Sequence, residues 1–178
     1  MPSNPIPFLR EGKIFFPEGK FDLENGTLQE MEELLGFGSY IDSELPAGKK
    51  IRSFNYPLGK VSVYFHPDEQ VNPLSNVLAV DFFPRAAIYL FRFFSFYHQD
   101  RRQTPCIPIE DEAEEKYLAV FSPNLLFSFC RKQEVVETIS FLSTKHVTTC
   151  QCEICGVIRQ VTANPSFIQR RSQKETVH

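Results

Sequence analysis

The fold of this chain is decided by Leu125-Leu-Phe-Ser-Phe-Cys130 and Val135-Val-Glu-Thr-Ile-Ser-Phe-Leu142, which flank the polar segment Arg131-Lys-Gln-Glu134. Both outer runs are rich in aromatic and β-branched residues, and a four-residue polar segment between such runs is typical of a hairpin. Side chains alternate between the two faces of a strand. We therefore expect an antiparallel hairpin in which the odd-numbered residues of 135–142 share one face and the even-numbered residues share the other.

Outward from this hairpin, the sequence predicts a second hairpin upstream. Strands over 51–56 and 60–65 flank Pro57-Leu-Gly59, whose composition is typical of a turn. In the second of these strands, Val61, Val63 and Phe65 fall on one face. Further short strands of similar composition are predicted over 13–16, 77–83 and 116–121.

Helices are expected to pack on these strands. Thr27-Leu-Gln-Glu30 has the form of a capping box, which predicts a helix over about 28–35 that ends at Gly36. The apolar pattern of 85–98 favours a helix, although it also permits a strand. Because the strands form hairpins with no βαβ alternation, the predicted fold class is α+β. We expect a mostly antiparallel sheet of hairpins with one or two packed helices.

The length of 178 residues fits a single domain. We expect an extended, proline-rich N-terminal arm over 1–12, one α+β domain over 13–163 and a flexible polar tail over 164–178. Eighteen phenylalanines and no tryptophan predict a core built mainly of phenylalanine.

Composition also restricts the kind of protein. A formal net charge of −3 disfavours a general nucleic-acid binder, since such domains usually carry a basic excess. The N-terminal residues lack the charged and apolar regions of a secretory signal. The most apolar run, 86–97, is shorter than the stretch of about 20 residues that crosses a bilayer. Five cysteines, an odd number, favour reduced thiols or a metal over a disulfide framework. We therefore expect a cytoplasmic protein with no membrane partner.

The densest chemistry of the chain lies in His146-Val-Thr-Thr-Cys-Gln-Cys-Glu-Ile-Cys-Gly156. Cys152 and Cys155 have the spacing of a zinc knuckle, in which two thiolates reach one metal across a tight turn. The glycine that follows is the residue type that such a turn accepts most easily. The sequence thus predicts a structural zinc ion at the tip of a hairpin over 146–162.

A closed zinc site needs four ligands. The predicted ligands are His146, Cys150, Cys152 and Cys155, and the remaining cysteines, Cys130 and Cys106, are alternatives for the fourth position. A redox dithiol at Cys152 and Cys155 is the rival interpretation. It is disfavoured because the residues that follow, 157–162, are β-formers and supply no helix N-terminus to lower a thiolate pKa. The third interpretation is a cluster of cysteines without function.

Other candidate sites are weaker. His66-Pro-Asp68-Glu69 could bind a metal or perform acid–base chemistry, but a turn rich in proline and aspartate is the commoner explanation of such a sequence. The chain has no P-loop, Gly-x-Gly-x-x-Gly, His-Glu-x-x-His or Gly-x-Ser-x-Gly motif, which disfavours the enzyme classes that carry them. The basic pairs Arg101-Arg102 and Arg131-Lys132 would indicate a nucleic-acid surface only beside exposed aromatic residues.

Residues Thr27 to Phe83 combine a capped short helix, ending in Leu34-Leu35-Gly36, with a hairpin whose second strand is Val61-Ser-Val-Tyr-Phe65. This outline resembles a unit of outer-membrane assembly lipoproteins and of β-lactamase inhibitor proteins, and the resemblance implies protein binding. The leading hypothesis is a non-enzymatic, intracellular protein-binding domain of inhibitor, immunity or adaptor type with a structural zinc site. The alternatives are a zinc-containing nucleic-acid-binding regulator and a thiol-redox or metal-dependent enzyme.

Overall fold

The computed structural model describes residues 6–36, 40–44, 50–109 and 115–163, and its N-terminal part is a small antiparallel sheet followed by a helix. The sheet consists of β1 (Phe8–Arg10), β2 (Lys13–Phe16) and β3 (Gly19–Asp22). Part of the predicted N-terminal arm therefore forms β1, which pairs with β2. The predicted strand over 13–16 is confirmed.

Helix α1 (Leu28–Leu35) has the predicted ends. The amide of Thr27 donates to the Glu30 carboxylate at 2.7 Å, and the amide of Glu30 donates to the Thr27 hydroxyl at 3.4 Å, so both halves of the capping box are formed. Gly36 follows the last turn with a φ of 86°, a left-handed value that glycine adopts without steric cost.

A large antiparallel sheet forms the centre of the domain. Its nine described strands are β4 (Tyr40–Glu44), β5 (Lys50–Tyr56), β6 (Gly59–Phe65), β7 (Ala79–Pro84), β8 (Ile88–Tyr89), β9 (Cys106–Pro108), β10 (Lys116–Ser122), β11 (Leu125–Cys130) and β12 (Val135–Leu142). The order across the sheet is β4-β5-β6-β7-β12-β11-β10-β9, and β8 pairs with the start of β12. Both predicted hairpins, β5–β6 and β11–β12, are confirmed, as is the α+β class.

The second predicted helix is shorter than its sequence pattern suggests. Helix α2 (Leu90–Phe96) occupies only the later part of 85–98. Pro84 ends β7, and the short strand β8 precedes the helix because Ile88 pairs with Val136. The amide of Leu90 then donates to the carbonyl of Glu134 at 2.9 Å, which joins the start of α2 to the turn of the β11–β12 hairpin.

The predicted hairpin over 146–162 is wrong, because this segment forms helices α3 (Thr144–Thr149) and α4 (Glu153–Ala163). The buried residues of α4 are Cys155, Ile158 and Val161, a spacing of three that matches one face of a helix. Burial of that face on the sheet outweighs the β preference of the individual residues. The described part of the chain thus has four helices, whereas one or two were predicted.

The alternation predicted along β12 holds only in part. The pairing of Ser128 with Thr138 is followed by that of Phe129 with Val136, so Glu137 is an extra residue and the strand contains a bulge. Ile139 and Phe141 share one face as predicted, but Val136 packs in the same cluster as these two, on the side predicted for odd-numbered residues. Because of the bulge, Val136 at the start of β12 lies on the face that the odd-numbered residues occupy after it.

The large sheet is covered on both faces. One face, together with α1, α2 and the small sheet, forms the main core, which is dominated by phenylalanine as predicted. At its centre Phe127, fully buried, lies among the rings of Phe93, Phe94, Phe121 and Phe129. On the other face, α3 and α4 pack on Ala79, Leu118, Val120, Leu126 and Leu142 through Val147, Ile158 and Val161. The predicted tail, 164–178, lies outside the described residues.

Candidate metal centre

The first part of the site is helix α3, which directly follows β12. Ser143 caps this helix, since its hydroxyl accepts from the amide of His146 at 3.1 Å. Cys150 lies four residues after His146, and its amide donates to the His146 carbonyl at 2.9 Å. Residues four apart on a helix lie on the same side. The cap and this spacing direct the imidazole and the Cys150 thiol to a common point.

The second part is the first turn of α4. The Sγ of Cys152 accepts from the amide of Cys155 at 3.5 Å, and the Cys152 carbonyl accepts from the amide of Gly156 at 3.0 Å. Gly156 therefore lies inside a helix and supplies no special turn conformation, contrary to the zinc-knuckle prediction. The guanidinium of Arg159 donates to the Cys150 carbonyl at 2.8 Å, which ties α4 to the end of α3.

These two helices bring three of the predicted ligands together. The ligand atoms of His146, Cys150 and Cys155 all lie within 4.8 Å of one another. Tetrahedral zinc, with bonds of about 2.0 to 2.3 Å, separates its ligand atoms by roughly 3.3 to 3.8 Å, so small side-chain adjustments suffice to close the site. Cys152 adjoins the group through a hydrogen bond between its thiol and that of Cys155. The structure does not bring Cys106 or Cys130 into it; they lie on β9 and β11.

The donor set suits a borderline-soft cation. Imidazole nitrogen and thiolate sulfur are the ligands that zinc prefers, and oxygen-preferring cations such as magnesium are poorly matched to them. Burial raises the pKa of the Cys155 thiol well above its usual range, and hydrogen bonds with Cys152 and Cys150 raise it further. A thiol in this state is a poor nucleophile. A bound cation supplies the positive charge that deprotonates such a ligand.

The prediction that no helix follows the cysteines is also wrong, because α4 begins directly after Cys152. The β-forming residues of 157–162 favour a strand, but packing of Ile158 and Val161 on the sheet stabilises a helix. The geometric objection to a redox dithiol is therefore removed. Cys155 is only 2% exposed, so its own thiol is inert, whereas Cys152 is half-buried and its Sγ accepts from the Cys155 amide at the start of α4.

A cavity of about 650 Å³ adjoins the Cys/His group and lies between the α3–α4 connection and the sheet. All four predicted zinc ligands line it. The sheet contributes an aliphatic floor of Leu78, Ala79, Leu118, Leu126 and Leu142, together with three polar side chains, Tyr64, Asp81 and Ser140. Sequence reasoning did not identify these polar residues. The available signal was an aspartate inside the otherwise apolar run Val77-Leu-Ala-Val-Asp-Phe-Phe83.

The carboxyl group of Asp81 is the main polar feature of the cavity. It accepts from the Tyr64 hydroxyl, with an O–O distance of 2.6 Å, and from the Ser140 hydroxyl. Burial raises the pKa of Asp81, and the two hydroxyl donors together with the charge of Lys60 oppose that rise only in part. The charged form of Asp81 is therefore less stable in the cavity than it would be in water.

The second candidate site has the geometry of a turn. The amide of Asp68 donates to Nδ1 of His66 at 3.2 Å, and the Asp68 carboxylate lies 3.7 Å from the same nitrogen. The side chains are 58% and 90% exposed, which is expected for a solvated loop. Among the candidate metal groups of the described ranges, neither residue belongs to a cluster of three ligands.

Comparison with protein-family models, with curated proteins and with solved structures found no match. None of the helices in the described ranges has the length and apolar character required to cross a membrane.

Proposed function

We propose that this chain is a cytoplasmic, non-enzymatic protein-binding domain whose α3–α4 unit is fixed by one zinc ion. His146, Cys150 and Cys155 are the proposed ligands, with Cys152 as the fourth. The observation that carries the zinc proposal is the convergence of three ligand atoms, from two separate helices, to within 4.8 Å.

A structural role for the zinc ion suits the short lengths of α3 and α4. Helix α3 has six residues and α4 has eleven, and isolated helices of this length are marginal in water. A zinc ion with ligands on both would connect them at their junction. Such a connection would hold Val147, Ile158 and Val161 on the sheet, where each is buried.

An exposed aromatic pair supports the protein-binding part of the proposal. Tyr89 and Phe91 are 48% and 69% exposed, and their rings stack with centroids 6.3 Å apart. The guanidinium of Arg92 lies 5.8 Å from the centre of the Phe91 ring. Tyrosine, phenylalanine and arginine are enriched at protein interfaces, where they often dominate the binding energy.

The nucleic-acid alternative meets one of its two conditions, since the turn that contains Arg131-Lys132 adjoins the exposed Tyr89 and Phe91 through Leu90. The second condition, basic pairs and zinc ligands on one face, is not supported. Arg101 forms a two-pronged ion pair with Glu134, with N–O distances of 2.8 and 3.0 Å. The Arg131-Lys132 pair lies in the turn before β12, whereas the Cys/His group follows the end of that strand. An eight-residue strand is about 25 Å long, so the basic pair and the zinc ligands are at opposite ends of it.

A metal-dependent enzyme is the second candidate, favoured by one observation. The three-ligand group lines a cavity, and catalytic zinc ions commonly have three protein ligands and an open fourth position. The two candidates differ in the role of Cys152, which completes the coordination in the structural site and not in the open one.

Cobalt titration separates these candidates, because the thiolate-to-cobalt absorption scales with the number of sulfur ligands. With three thiolates in the wild type, Cys152→Ser should lower this absorption by about one third, while Cys106→Ser leaves it unchanged. Full absorption in Cys152→Ser would favour the open site. A wild-type chain that binds no cobalt would contradict the metal proposal in both forms.

A further inference from the structure

The cavity contains an ionisable group that the proposed zinc site does not use. Asp81 lies in the middle of β7, paired in register with Ser62 of β6 and Ser140 of β12. Its carboxylate faces the cavity and accepts from the hydroxyls of Tyr64 and Ser140. A carboxylate has about four acceptor positions, so roughly two remain for a ligand.

The surroundings of this carboxylate are mainly apolar. The described lining residues include no lysine or arginine, and aliphatic side chains form the floor. Burial raises the pKa of Asp81 and the charge of Lys60 opposes that rise, but the Lys60 ammonium lies 4.3 Å from the centre of the Phe83 ring. Among the described residues, the Asp81 carboxyl group therefore has hydroxyl partners but forms no ion pair with a lysine or arginine.

We propose that this cavity binds a small amphiphilic amine, whose ammonium group donates to Asp81 and whose hydrocarbon chain covers the aliphatic floor. An ammonium group brings three donors and the missing positive charge. Hydrogen bonds between two charged groups are about twice as strong as neutral ones, and more so away from water. The volume of about 650 Å³ lies within the usual range for small-molecule sites.

The competing ligand class is an amphiphile with a carboxylate. In the cavity it would meet the carboxyl group of Asp81, and a zinc ion with an open position would be the strongest attractive partner for it. An uncharged alcohol of equal chain length would bury the same apolar surface without the charge. Comparison of the three head groups therefore isolates the contribution of Asp81 from that of the floor.

The test is calorimetric titration of the purified chain with decylamine, decanol and decanoate, each below its aggregation limit, with and without zinc. Decylamine should bind about tenfold to a hundredfold more tightly than decanol. Asp81→Asn should remove this preference while the affinity for decanol is unchanged. Asp68→Asn is the matched control, because Asp68 is an exposed carboxylate beside His66 at the cavity wall, and it should retain the preference.

The comparison of probes on the wild-type chain needs no variant, so the proposal is testable even if Asp81→Asn does not fold. Equal affinities for decylamine and decanol, or no binding of either, would overturn it. Preferential binding of decanoate that requires zinc would also overturn it and would identify the metal as the anchor. Loss of the amine preference in Asp68→Asn as well would indicate non-specific attraction and count against a site at Asp81.

Discussion

Zinc at a thousand times its dissociation constant should raise the free energy of unfolding of this chain by about 4 kcal/mol, and Cys155→Ser should abolish the increase. A ligand that binds only the folded state stabilises it by mass action. The effect depends on Cys155 because its buried sulfur belongs to the group with the His146 imidazole and the Cys150 thiol. Urea unfolding with zinc and with a chelator measures the difference.

The matched control for this prediction is Cys106→Ser. Cys106 lies on β9, outside the Cys/His group, and its thiol donates to the Thr104 carbonyl at 3.5 Å, a bond that a serine hydroxyl can also form. This variant should retain the full zinc-dependent stabilisation. Equal stabilisation of the wild type and Cys155→Ser by zinc would show that the metal binds elsewhere or binds the unfolded chain equally well.

The second large effect concerns the aromatic core. Phe127→Ala should lower the free energy of unfolding by about 3 to 5 kcal/mol, the range found for large-to-small changes in well-packed cores. Phe127 is fully buried, and its ring centroid lies 4.6 Å from that of Phe93 and 4.8 Å from that of Phe121. Because rings from both α2 and the sheet surround it, the resulting cavity cannot close easily.

Phe91→Ala is the control for this change, since Phe91 lies on the same helix as Phe93 but is 69% exposed. Its loss should alter the free energy of unfolding by no more than about 0.5 kcal/mol. Chemical denaturation of the three proteins tests both expectations. A loss below about 1 kcal/mol in Phe127→Ala would show that this cluster does not dominate the core.

The elements that were predictable from sequence are those in which local signals and packing agree. The β5–β6 and β11–β12 hairpins combine β-forming runs with turn residues, and α1 has both a capping box and a glycine stop. The segment 146–162 has conflicting signals. Its β-branched residues favour strands, but the three-residue spacing of Cys155, Ile158 and Val161 matches the face that packs on the sheet.

The closeness of His146, Cys150 and Cys155 in sequence was enough to predict that they come together, although the expected backbone was wrong. Their role as zinc ligands stays a prediction. The four-residue step from His146 to Cys150, at the end of α3, brings both side chains to one side of that helix. In the predicted hairpin they would have met across a turn. The cavity could not be predicted in this way. Tyr64, Asp81 and Ser140 are distant in sequence and meet only because the strand order places β6, β7 and β12 side by side.

The central claim is that the α3–α4 junction holds zinc, and the most direct measurement is the metal content of the purified chain by elemental analysis. We predict one zinc per chain in the wild type and in Cys106→Ser, and less than about a tenth of that in Cys155→Ser, since a lost ligand weakens binding strongly. Absence of zinc from wild-type chain purified without chelator and then saturated with zinc, or an equal zinc content in Cys155→Ser, would contradict the claim.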